Sequence, residues 1–263
     1  MCLIVFALDC HPRYRLIVAA NRDEFFSRPT APAAFWEDAP EVLAGRDLAA
    51  GGTWLGVTST MRLAAVTYYR EPVQPVHHLP SRGKLAADFL TGTMTPEEYR
   101  ERLHREEGRY GGFNLLFGDD SGLFYHANRG DASCRVAAGI HGLSNGLLDT
   151  PWPKVVAAKG RLERLMREET VSPEALFSLL ADRSSYPDPL LPNTGFGIER
   201  ERHLSPIFIA GSDYGTRSST TVLMDRENRL TFSERTWNNR REIAGTASFT
   251  IALSHASLGS APG

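Results

Sequence analysis

Strand-like segments open this chain, helix-like segments fill its middle, and strand-like segments return at the end, with no regular strand–helix alternation. That order argues against a doubly wound parallel sheet, which needs a helix between successive strands. Residues 2–8 and 14–20 read as short, nearly all-apolar strands joined by the turn-like His11-Pro12-Arg13. Runs this apolar suit strands covered on both faces, although periodicity alone leaves short helix open. Arg28-Pro29-Thr30-Ala31-Pro32 reads as loop, and residues 51–57 and 62–68 as a second strand pair.

Helical signals follow. Ser81 is a candidate cap for a helix over 83–90, and Thr95-Pro96-Glu97-Glu98 places a cap, a first-turn proline and early acids before residues 99–107. Strand character returns at 113–117 and 122–126. Thr150-Pro151 opens the longest predicted helix, to about residue 169, with Val155, Val156, Leu162, Leu165 and Met166 spaced for one face. Ser172-Pro173-Glu174 starts another through 180. Residues 183–204, rich in Pro, Ser and Asp, read as a surface loop or flap, and 206–210, 217–225, 229–236 and 247–253 as strands. The expectation is an α+β fold: a four-layer αββα sandwich of two mainly antiparallel sheets, one domain over 1–255, with a flexible tail at 256–263.

Composition narrows the function classes. A hydrophobic share of 42% over 263 residues supplies a substantial core, and a formal net charge of −2 gives no nucleic-acid footprint and no polybasic membrane patch. No apolar run reaches the ~18 residues of a spanning helix, and no secretory signal opens the chain. Three cysteines, an odd and low number without tight spacing, argue against a disulfide framework and against a structural zinc site. Cys10 and Cys134 are expected to be buried thiols, and the compartment to be the reducing cytoplasm. Oligomeric state is left open.

Chemistry concentrates at the start. Cys2 stands directly behind Met1, and trimming of that methionine would give one residue both a thiol and a free α-amine. An α-amine titrates at about 7.7–8.0, so near neutral pH it can take the proton of its own thiol. One hairpin later an apolar strand delivers Asn21-Arg22-Asp23-Glu24. Arg22 would stabilise a thiolate, and Arg22 with Asp23 would equally serve as a structural ion pair.

The opening Met1-Cys2, Asn21-Arg22-Asp23-Glu24 and Phe25-Phe26-Ser27-Arg28-Pro29-Thr30 resemble the NRDE family, whose eukaryotic members are called transport and Golgi organization protein 2 homologues. Further matching blocks are Ala44-Gly45-Arg46-Asp47, Gly51-Gly52-Thr53-Trp54, Ser81-Arg82-Gly83, Gly112-Phe113-Asn114-Leu115, Leu143-Ser144-Asn145-Gly146, Tyr214-Gly215-Thr216-Arg217 and Phe232-Ser233-Glu234-Arg235, in one unbroken order. The resemblance implies an N-terminal-nucleophile hydrolase fold and, more distantly, a motif order similar to cholylglycine hydrolases and penicillin V acylases. It implies Cys2 as nucleophile, Arg22 and Asp23 as its organisers, Asn145 as oxyanion donor and Arg217 as the late arginine. Asn21, Trp54 and Tyr68 are candidate substrate-binding residues; the ordinary alternative for Asn21 is capping of the following turn, and for Trp54 packing rather than walling a pocket.

Two departures from that pattern stand out. The acylases space their Arg and Asp three residues apart, whereas here they are adjacent, and successive strand residues face opposite sides. A second oxyanion asparagine is expected where this chain has Tyr68. The expected activity is cleavage of a non-peptide amide or other C–N bond in a small acyl compound. The resemblance also implies the alternative of a non-catalytic carrier of haem or acyl lipid, with haem as transported ligand rather than cofactor. No metal site is expected, since the adjacent His77-His78 would rarely ligate one ion together.

Overall fold

The computed structural model describes residues 2–72, 79–130 and 132–254; the proposed tail at 256–263 and His77-His78 lie outside them. Two sheets face each other. The first runs β10 (Gly139–Leu143), β1 (Cys2–Leu8), β2 (Tyr14–Phe25), β11 (Tyr214–Asp225), β12 (Arg229–Trp237), β13 (Ile243–Ala252). The second runs β3 (Thr30–Trp36), β4 (Ala39–Asp47), β5 (Leu55–Thr58), β6 (Leu63–Tyr68), β7 (Phe113–Asp119), β8 (Gly122–Ala127), β9 (Ala132–Arg135). Every pairing is antiparallel.

The period of two along each strand sorts residues between layers. Cys2, Ile4, Phe6, Val18 and Ala20 turn inward and meet Leu43, Leu55, Val57 and Leu116 of the facing sheet. Their neighbours Leu3, Val5, Ile17 and Ala19 turn outward, under α3 (Pro153–Leu165) and α4 (Pro173–Leu180). Across the molecule Val42, Ala64, Val66, Leu115 and Phe117 carry α1 (Gly83–Thr91) and α2 (Pro96–Glu106). The result is the four-layer αββα sandwich. Both faces of β1 are covered, which is why its sequence is apolar without alternation. Among the described residues no helix is long and apolar enough to cross a membrane.

Several local expectations need correcting. Residues 28–32 are not simply loop: β3 begins at Thr30, and Pro32 is accommodated because β3 is the edge of its sheet. Residues 206–210 make no strand, although Ile207, Phe208 and Ile209 are buried. The proposed flap at 183–204 ends in a helix, α5 (Ile198–Leu204), that buries Glu201 and Leu204. Ser81 does not cap α1; the cap position is Arg82, and Ser81 Oγ accepts only a long 3.4 Å bond from Gly83 N. Thr95 does cap α2: its Oγ1 accepts from Glu98 N at 3.2 Å while Glu98 Oε2 accepts from Thr95 N at 2.8 Å. Cys10 and Cys134 are exposed rather than buried, because one sits in the β1–β2 turn and the other on the edge strand β9.

Candidate active site

The β1–β2 register pairs Cys2 with Arg22, which puts thiol and guanidinium on the same inward face at the open end of the sandwich. A cavity of about 740 Å³ opens there, lined by Cys2, Arg22, Asp23, Trp54, Tyr68 and Arg82 among others. Arg22 Nη1 donates to Thr30 Oγ1 at 3.3 Å, and its Nη2 lies 3.8 Å from Glu24. Asp23, one residue on, also borders the cavity because β2 is near its end. Its Oδ1 accepts from Thr216 Oγ1 at 2.7 Å. The adjacency of Arg22 and Asp23 therefore still places both beside the thiol.

Burial dominates the electrostatics. It pushes the Cys2 thiol above its ordinary value and the Asp23 carboxylate adds to that push, while the amino-terminal charge, the Asp23 backbone and, least of these, Arg22 oppose it. At neutral pH the resting sulfur is a thiol, so any nucleophilic role needs a base. Burial likewise raises the Asp23 carboxyl, with Lys154 working against it.

The cavity is bounded on one wall by an approach of two backbones. A side chain at Gly52 would meet the carbonyl carbon of Gly83 at 2.5 Å, and Thr53 N donates to Gly83 O at 3.1 Å. Only glycine fits at 52, and the contact brings Trp54 and Arg82 to the same opening. Trp54 is 8% exposed and packs into the inter-sheet core as well as bordering the cavity. The Tyr68 ring lies 5.6 Å from the Arg82 guanidinium, and burial drives its phenol well above the ordinary range.

Other predicted site residues are placed elsewhere. Asn145 is fully buried and does not line the cavity; its Nδ2 donates to the Tyr68 carbonyl at 2.8 Å, and its own carbonyl accepts from Arg70 N at 2.7 Å. Ser144 Oγ beside it donates to the Cys2 carbonyl at 2.9 Å, so this turn holds both β1 and β6. Asn114, in the Gly112–Leu115 block, supports it from below by donating to Gly146 O at 3.0 Å. Asn21 faces the helical layer: its Nδ2 donates to Leu180 O and Ile207 O, both at 2.9 Å, and Ser219 Oγ donates to its Oδ1 at 2.6 Å. It ties helix to sheet and is absent from the cavity wall.

Arg217 is displaced by a bulge. Thr216 pairs with Asp23 and Ser218 with Arg22, leaving Arg217 without an opposing residue on β2. Its Nη1 donates to the carbonyls of Phe25 (2.8 Å), Arg28 (3.0 Å) and Phe26 (3.3 Å), so it clamps the turn that follows β2 and does not line the Cys2 cavity.

Behind Asp23 lies a charged cluster that sequence reasoning missed. Arg70 and Glu201 form a buried ion pair, and the Arg70 guanidinium stands 4.5 Å from the centre of the Trp152 ring. Lys154 is 2% exposed and donates from Nζ to Leu204 O at 3.0 Å. Burial lowers its pKa to about 8, opposed chiefly by the Asp23 carboxylate. One signal was readable: Lys154 falls on the stripe that buries Ala158 and Leu162 of α3. Nothing local marks Arg70 and Glu201, which are 131 residues apart. A separate His104–Glu107–His126 group has ligand atoms within 4.8 Å of one another, at the end of α2 and on β8, outside the cavity.

Comparison with known proteins gives a consistent family. A family model described as Transport and Golgi organisation 2 matches residues 1–239. The Transport and Golgi organization protein 2 homolog of Bos taurus is 38% identical over 256 residues, covering 89% of this chain and 92% of that protein. The Drosophila melanogaster Transport and Golgi organization protein 2 is 30% identical over 266 residues, covering 90% and 92%. Among solved structures, a Caenorhabditis elegans N-acylethanolamine-hydrolyzing acid amidase ortholog superposes with TM-score 0.49 at 11% identity, over 84% of this chain and 92% of that one. A conjugated bile acid hydrolase from Clostridium perfringens gives 0.42 at 10% identity, over 98% and 100%. On the family match over residues 1–239 and the relatives of 38% and 30% identity, the chain belongs to the Transport and Golgi organisation 2 family.

Proposed function

We propose that this protein is a Cys2-dependent N-terminal-nucleophile hydrolase that cleaves an amide or other C–N bond in a small acyl compound. The observation that carries the reading is the Cys2–Arg22 register pair opening into a cavity of about 740 Å³. In this reading Met1 is removed, and the freed α-amine of Cys2 takes the proton of a thiol that burial holds protonated at rest. The sulfur adds to the carbonyl carbon, the proton passes to the leaving nitrogen as the C–N bond breaks, and water then releases the acyl group from the thioester. Arg22 and Asp23 orient the nucleophile and its amine. Asn145 stands outside the cavity lining, so an oxyanion role would require the second hydrogen of its amide, the one not donated to the Tyr68 carbonyl, to reach the reacting carbonyl.

A second reading, a non-catalytic carrier of haem or an acyl lipid, draws support from that engaged Asn145 and from Tyr68 standing where an asparagine would serve catalysis. A cytoplasmic location belongs to both readings. One experiment separates them. Intact mass reports Met1 removal, iodoacetamide labelling with peptide mapping reports Cys2 reactivity, and a panel of N-acyl amides reports turnover. The hydrolase reading expects trimming, Cys2 labelling and turnover abolished by Cys2→Ala. A retained methionine with ligand binding indifferent to Cys2→Ala would leave the carrier reading alone.

A further inference from the structure

We propose that Arg82 is a substrate-specificity residue that anchors an anionic group, of the carboxylate type, at the rim of the Cys2 cavity. The inference rests on the reading of that cavity as the substrate site. Its first support is charge. The cavity-lining arginines Arg28 and Arg46 are already neutralised, by Asp47 at 2.7 Å and by Asp38 at 2.5 Å, and Arg22 has Glu24 at 3.8 Å. Arg82 also lines the cavity but makes no ion pair among the described residues. The cavity-lining carboxylate whose charge acts on it, Glu71, is held in a two-pronged pair by Arg129, at 2.8 and 2.7 Å. Two arginines thus face one carboxylate, leaving one positive charge for an incoming anion. The first turn of α1, which starts directly after Arg82, contributes no acid either.

The second support is geometry. Arg82 Nε donates to Gly112 O at 2.8 Å, which fixes the plane of the guanidinium without using its terminal nitrogens. Those nitrogens run flush along Gly111: a Cβ there would sit 2.7 Å from Nη2. Gly111 borders the same cavity. The Gly52–Gly83 backbone contact holds the residue after Arg82 in place, so the fork is pre-oriented. A planar fork fixed in this way matches an oxyanion bidentately, which a lysine would not. The acyl body would lie along Trp54 and Tyr68, between this anchor and Cys2.

The test uses binding rather than turnover, on the Cys2→Ala protein, with two probes that differ only in charge: N-decanoylglycine and N-decanoylglycinamide. Calorimetry should show the carboxylate binding roughly ten- to a hundredfold more tightly than the amide, the worth of a charged hydrogen-bond pair. Adding Arg82→Gln should bring the carboxylate down to the amide's affinity and leave the amide unchanged, while Arg82→Lys should keep part of the preference. Equal affinity for the two probes, no binding of the carboxylate, a preference that survives Arg82→Gln, or a parallel loss for both probes would each overturn the proposal. Failure of the hydrolase reading shows separately, as wild-type protein that prefers the carboxylate yet releases no product.

Discussion

The side-chain amide of Asn145 donates to the main-chain carbonyl of Tyr68 at 2.8 Å, so the expected oxyanion donor is bonded to the backbone at the position where the resemblance places a second oxyanion asparagine. Asn145 is completely buried, and its neighbour Ser144 holds the Cys2 carbonyl. Removing the amide leaves a buried carbonyl without its donor, which typically costs about 1–3 kcal/mol. Asn145→Ala should lower the denaturant midpoint accordingly with an unchanged m-value. Asn145→Asp should cost at least as much, since a carboxylate cannot donate to that carbonyl. A midpoint unaffected by either change would remove Asn145 from the support of the site.

Arg217 makes a comparable structural contribution from outside the cavity. One nitrogen serves three carbonyls of the turn at 25–28. Arg217→Ala should therefore destabilise the protein by about 1–2 kcal/mol and speed proteolytic cleavage at that turn, which limited digestion with mass mapping would locate. Cleavage unchanged at the turn would contradict the clamp.

Much of this arrangement was legible in the chain, and the exceptions have physical causes. Cys2 and Arg22 fall together because two apolar runs separated by a short turn must pair antiparallel, and the pairing distance is then set by counting. Asp23 beside Arg22 looked like a conflict under strict strand alternation, yet the cavity wraps the end of β2 and takes both. Arg217 is carried over by resemblance alone, which fixes a place in the motif order but not a side-chain direction: one extra residue between Thr216 and Ser218 decides where that side chain goes. β3 was hidden by Pro32, a strand breaker that an edge tolerates. Arg70 and Glu201 carry no local pattern at all; their pairing exists only once α5 packs behind the site.

The Arg70–Glu201 pair is the strongest candidate for a large single-site effect. Both side chains are almost fully enclosed, at 1% and 3% exposure. Deleting one partner of such a pair typically costs about 3–5 kcal/mol, because the other charge is left buried and uncompensated. Glu201→Ala and Arg70→Met should each fall in that range by chemical denaturation. The double variant Arg70→Met/Glu201→Leu should lose less than the sum of the singles, giving a coupling of about 1–3 kcal/mol. Simple additivity of the two losses would show that the charges do not act as a pair.

Lys154 gives the pH prediction. Burial lowers its folded-state pKa from 10.5 to about 8, opposed by the neighbouring Asp23 carboxylate. Between about pH 8 and 10.5 the unfolded chain keeps the lysine proton while the folded protein has lost it. The unfolded state then binds more protons, and stability from this group rises with pH through that window. Below pH 8 both states hold the proton, and the penalty of burying the charge is present in full. The raised Cys2 thiol acts in the opposite direction near the top of the window, so the reading must be a difference between proteins. Wild type minus Lys154→Met, followed by urea melts, should climb by roughly 3 kcal/mol at most across pH 8 to 10.5 and stay flat from 6 to 7.5. A difference that is level across the alkaline window would mean that Lys154 titrates normally despite its burial, and that Asp23 compensates it fully.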